Sequence, residues 1–115
     1  MNSNQQPTSF HAFNLSLILI RSLVPLVGRI EQHDRGLGKQ LRTAATSVAL
    51  NLGEGRKRVG RDRTHLWRIA AGSAEEVRVA LHVAAAWGHV NDTDIEPALD
   101  TLDPLLAICW RLTHR

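Results

Sequence analysis

The chain has 115 residues, enough for one domain with a single core that needs neither metal nor disulfide to hold it. Fourteen Lys and Arg against eleven Asp and Glu give a net charge of +3, and a pI of about 10.0 keeps the chain cationic at physiological pH, which permits contact with polyanions without demanding it. The single cysteine, Cys109 between Ile108 and Trp110, excludes an intrachain disulfide, suits a reducing compartment, and in so apolar a setting reads as a buried, inert thiol.

Met1 to Ser9 lacks the positive start of a secretory signal and reads as a disordered polar tail, with residues 10–115 forming the domain. The apolar run from Leu15 to Val27 is interrupted by Ser16, Arg21, Ser22 and Pro25 and is too short to span a membrane, so a cytoplasmic protein is expected. Helix one is predicted over about 10–32, with Phe10, Phe13, Leu17, Ile20, Val24, Val27 and Ile30 as its inward stripe. A second apolar row, Leu15, Ile18 or Leu19, Leu23 and Leu26, makes the helix greasy on more than one side and points to self-association. Pro25 predicts a kink.

Asp34-Arg35-Gly36 supplies turn chemistry before helix two, about 37–56, whose inward residues are Leu41, Ala44 or Ala45, Val48 and Leu52. Helix three, about 61–87, is read with Leu66, Ile69 or Ala70, Ser73, Val77, Leu81, Ala84 and Trp87 inside and a stop at Gly88. Helix four, about 93–113, opens on a Thr93/Glu96 capping box, buries Ile95, Leu99, Leu102, Leu105 or Leu106, Cys109 and Leu112, and is expected to kink at Pro104. No stretch alternates with period two, so the fold class is all-α: an antiparallel up-down-up-down four-helix bundle.

Ser47, Asn51 and Glu54 fall on one face of helix two, and Ser73 and Glu76 on one face of helix three, so two polar ladders can face each other as a structural seam. If Glu54 or Glu76 is buried it needs a cation, with Arg42 and Arg68 the nearest by pattern. The six histidines are scattered, none in a metal-binding pair on a helix; there is no Gly-rich phosphate loop and no serine nucleophile elbow. A non-enzymatic protein without cofactor is therefore expected.

The densest charge in the chain is Arg56, Lys57, Arg58, Arg61, Arg63 and Arg68 around the turn between helices two and three. Such a run is either a solvated helix end or a phosphate-contacting patch, since arginine forks bind phosphate oxygens in pairs. Trp67 lies beside it and could stack on a base, although a helical tryptophan is more often core.

Gln40-Leu41-Arg42, Ala44-Ala45, Ser47, Asn51, Glu54-Gly55 and Arg58, followed by Leu66, Arg68-Ile69-Ala70, Gly72-Ser73 and Glu76, resemble the four-helix-bundle family of the 23S rRNA intervening-sequence protein, which includes the accessory variability proteins of diversity-generating retroelements. The resemblance implies an up-down bundle assembled as a homopentameric barrel. For the retroelement members it implies a basic surface that associates with nucleic acid and with a reverse transcriptase. Carried over by position, Ser47, Asn51, Glu54, Gly55, Gly72, Ser73 and Glu76 become the signature seam, and Arg42, Arg58 and Arg68 the matching basic positions. Thr43 and Ala71 stand where basic residues are common in the family, which implies less charge on the helical faces. The expected partners are further copies of the chain, RNA or DNA, or a nucleic-acid-handling protein. The alternative is a scaffold oligomer whose arginines serve subunit contacts through acids such as Glu75, Asp100 or Asp103.

Overall fold

The computed structural model describes residues 6–114. It contains four helices, α1 (Gln6–His33), α2 (Arg35–Gly55), α3 (Gly60–Ala86) and α4 (Asp92–Thr113), and no strand among the described residues. Each helix packs on its neighbour in the chain and α4 returns against α1, closing a four-helix bundle of 47 × 22 × 20 Å around one core.

α1 begins at Gln6, before the expected start at Phe10, because Pro7 falls in a first turn where no N–H is needed. The rest of the expected tail, Met1–Gln5, lies outside the described residues. The roles of the two apolar rows of α1 differ from the sequence reading. Val27 and Ile30 of the expected inward stripe are buried, but Phe10 and Val24 of that stripe are 47% and 68% exposed, and Leu19, Leu23 and Leu26 of the second row are buried in their place. Both rows have helical spacing and comparable apolarity, and the core draws on the second row in the middle of α1 and on Val27 and Ile30 of the first near its C-terminal end. Buried Ser16 keeps its hydroxyl satisfied by donating to the Phe13 carbonyl at 2.5 Å. Over Ser9–His33, α1 is long and apolar enough to cross a membrane by length and composition, because the helix extends past both ends of the apolar run; 33% of its most apolar window is buried in the bundle.

Asp34 alone joins α1 to α2. Its extended backbone and its carboxylate, which accepts the Leu37 N–H at 2.9 Å, make it the N-cap of α2. Leu41, Ala44, Ala45, Val48 and Leu52 are buried as the periodicity predicts. In α3 Trp67 is core at 6% exposure, the commoner of the two roles read for it, whereas Trp87, expected inside, is 72% exposed. Gly88, at φ +81°, takes the left-handed conformation that ends the helix. α4 starts on Asn91, not at Thr93: the Asn91 N–H donates to the Asp94 carboxylate at 2.8 Å. The Thr93/Glu96 pair has the same spacing but begins inside the helix. That N–H, with the Arg29 guanidinium 3.0 Å away, holds the Asp94 carboxyl below the usual value of 3.8, so its stabilising contribution is present at neutral pH and is lost under strong acid. α1 and α4 remain helical through Pro25, Pro97 and Pro104.

Cys109 is fully buried and desolvation pushes its thiol up to about 11. Alkylation by iodoacetamide at pH 8 should therefore be negligible in the native protein and stoichiometric in guanidinium. Rapid labelling of the native chain would place the thiol at the surface.

Candidate nucleic-acid interface

The polar seam forms where the two serines meet. Ser73 donates to Ser47 Oγ at 2.8 Å across the α2–α3 interface, and Asn51 Nδ2 donates back along α2 to Ser47 Oγ at 3.1 Å and to the Ser47 carbonyl at 2.9 Å. These bonds let three polar side chains sit half-buried between helices whose flanking positions are apolar. The ladder ends are solvated. Glu54 is exposed and pairs with Arg58 at 3.2 Å, and Glu76, also exposed, accepts from Gln40 Nε2 at 3.3 Å. Neither carboxylate is inside the bundle, so neither needs the cation assigned to it; Arg42 pairs instead with Glu31 at 3.5 Å. Among the described residues the side-chain hydrogen bonds of Ser47 and Ser73 reach no histidine or carboxylate that could activate a nucleophile. Among the described residues no three His, Cys, Asp or Glu gather closely enough to hold a metal ion.

The signature glycines differ in kind. Gly55 is buried against Trp67, whose Nε1 lies only 2.5 Å from where a Cβ would stand, whereas Gly72 is exposed with nothing within 4 Å. Gly55 thus lets the last turn of α2 approach the indole; packing within the chain makes no such demand at Gly72.

The basic residues around the α2–α3 turn divide by role. Arg63 donates through Nε to the Gly55 carbonyl at 3.2 Å and through Nη2 to the Arg56 carbonyl at 3.4 Å, satisfying acceptors at the C-terminus of α2, and its guanidinium lies 5.3 Å from the centre of the Trp67 ring. Arg56 stacks over Phe10 of α1 at 4.9 Å. These two are structural cations. Lys57, Arg58, Arg61 and Arg68 are exposed, and of the four only Arg58 makes an ion pair among the described residues. Arg42 stands apart, about 20 Å along α2 from its C-terminal end. Four of the seven expected phosphate contacts are thus exposed, two make contacts within the fold, and Arg42 lies apart. Replacing Arg63 by alanine should cost about 0.5–1.5 kcal/mol per bond lost, against less than about 0.5 kcal/mol for Lys57→Ala, as read by urea unfolding. Equal values would remove Arg63 from the cap.

Trp67, read as more often core than base-stacking, is buried and closed to a ligand. The exposed tryptophans are Trp87, at the opposite end of α3, and Trp110 on α4, with His114 stacked on it at a ring-centre distance of 4.3 Å. A 3.6-residue pattern places all three tryptophans on helices but does not say which one solvent reaches.

Fold and site together define a helical-bundle protein with a serine-linked seam and an arginine-rich turn. The family model of 23S rRNA-intervening sequence proteins matches residues 11–110, and the chain belongs to that family. A solved structure of a protein with unknown function from the S23 ribosomal protein family of Bacteroides thetaiotaomicron matches with a TM-score of 0.81 at 17% identity, over 90% of this chain and 99% of that one. At that identity the likeness is one of fold. No curated protein matches the chain.

Proposed function

We propose that this chain is a non-enzymatic, cytoplasmic, self-associating bundle that binds RNA or DNA through the α2–α3 end, alone or with a nucleic-acid-handling protein such as a reverse transcriptase. Its helices run antiparallel in up-down-up-down order, and its copies close into a ring, five by family resemblance. The observation that carries this reading is that Lys57, Arg61 and Arg68 are exposed and make no ion pair among the described residues. Arg61 and Arg68 are two helical turns apart, about 10 Å along one face of α3, a spacing suited to separate phosphates. A ring repeats the patch, so that individually weak sites act together.

Filter binding of a short RNA and a short duplex at low salt tests it. Lys57→Glu/Arg61→Glu/Arg68→Glu should abolish retention, while Arg42→Glu, far along α2, should leave most of it. On duplex DNA the affinity should fall with salt by a log-log slope of about −0.9 per phosphate neutralised. No affinity at low salt, or affinity unchanged by the triple reversal, would remove nucleic acid from the proposal. A scaffold oligomer with protein partners only is the second reading, favoured by the exposed Phe10, Ile18, Val24 and Leu50 on α1 and α2. Assembly through those residues should persist at salt concentrations that strip nucleic acid.

A further inference from the structure

We infer that the groove between α3 and α4 is a single-stranded nucleic-acid site, with Trp110 as the platform for a base. The inference rests on the nucleic-acid reading above and assigns the strand type and the base contact. Arg61, His65, Arg68 and Gly72 follow one another at i, i+4, i+7 and i+11, which sets them in a line on α3, and all four are exposed. Across the groove from Gly72 stands Trp110, 59% exposed, with Glu75 closing the far end. His114 covers one face of the indole at 4.3 Å with the rings 8° from parallel, and its Nδ1 lies 2.9 Å from the Trp110 carbonyl oxygen, so the pair is held as a unit.

A cationic track beside an exposed aromatic ring is the combination that binds single strands: phosphates follow the track and a base lies on the ring. Here the phosphates run along Arg61 and Arg68, and the bare backbone at Gly72 lets the strand lie close where it crosses toward Trp110. A duplex keeps its bases stacked on one another and offers Trp110 no free face. Arg61 and Arg68, which lead along α3 to the groove, favour a polyanion as the occupant, and Glu75, the one carboxylate lining the groove, is paired with Arg78 at 2.6 Å.

The test is fluorescence anisotropy of an end-labelled 12-mer of U, 12-mer of dT and 12-base-pair duplex titrated with the full chain at low salt, with the tryptophan emission of the parent chain read alongside. The single strands should quench the emission and bind at least about tenfold tighter than the duplex. Trp110→Ala should weaken them by roughly 5- to 150-fold, the range of one lost base stack. Trp110→Phe, which keeps a ring, should retain most of the affinity, and Trp87→Ala, remote from the groove, should leave it unchanged. Circular dichroism and melting of Trp110→Ala should match the parent, because the ring is mostly exposed. Undiminished binding by Trp110→Ala, or a duplex bound as tightly as the single strands, would overturn the site while leaving the basic-end proposal standing. Intact binding by Trp110→Ala with loss of self-association would assign the groove to a second copy of the chain and also overturn it. No binding of any of the three by the parent protein would overturn both.

Discussion

Leu52→Ala is expected to destabilise the protein by about 2–5 kcal/mol, while the same substitution at Leu50, two residues earlier, should change stability by less than about 0.5 kcal/mol. The two leucines share a helix and a chemistry and differ in what surrounds them. Leu52 is fully buried one turn before Gly55, so its truncation removes contacts and leaves a cavity that the packed helices cannot collapse into. Leu50 is 66% exposed on the opposite face. For a domain of this size the Leu52 loss should lower the melting temperature by roughly 8–20 °C. Urea unfolding of both variants, at two protein concentrations, is the check. Comparable losses for the two would contradict the burial described, and a loss at Leu50 that shrinks at higher protein concentration would show the residue covered by another copy.

Gly55→Val should cost about 3 kcal/mol, near the upper end of overpacking penalties, whereas Gly72→Ala should stabilise the free protein by about 0.5–1 kcal/mol. Both glycines belong to the signature read from the sequence, and both lie in helices where glycine is unfavourable. At Gly55 a Cβ would stand 2.5 Å from Trp67 Nε1 and 2.7 Å from its Cδ1, and the ring cannot retreat because it is itself buried beside the Arg63 guanidinium. At Gly72 no atom lies within 4 Å, so alanine gains helix propensity with no steric cost. Thermal melting of both variants decides it: a stabilised Gly55→Val would mean that the indole does not press on α2.

The four helices, their order and most of the α2 and α4 core were legible because apolar residues three and four apart on otherwise polar helices leave one choice of inward face. That choice was absent on α1, where Leu19, Leu23 and Leu26 compete with Leu17, Ile20 and Val24 at the same spacing; only the packing of α2 and α4 selects the buried row. The same ambiguity placed Trp87 on the inward face of α3. In the site, the meeting of Ser47 with Ser73 could be read from helical registers, because both lie near the middle of adjacent helices. The solvation of Glu54 and Glu76 could not, since it depends on how far each helix turns past its neighbour. Sequence proximity also joined Arg56 and Arg63 to the phosphate-facing residues, when Arg63 folds back on the carbonyls that end α2 and Arg56 lies over Phe10, more than forty positions away in sequence. Trp110 lay outside the basic run in sequence, and only the α3–α4 packing brings it to the groove that Gly72 lines.

The measurement that bears most directly on a self-associating nucleic-acid binder is size-exclusion chromatography with light scattering on the unmodified chain, alone and with a short RNA or a short duplex, at low and moderate salt. The expected result is a mass several times that of the 12.8 kDa chain, which rises by the mass of bound nucleic acid at low salt and returns to its starting value as salt is raised. A monomer, or an oligomer whose mass is the same with and without nucleic acid at low salt, would contradict it.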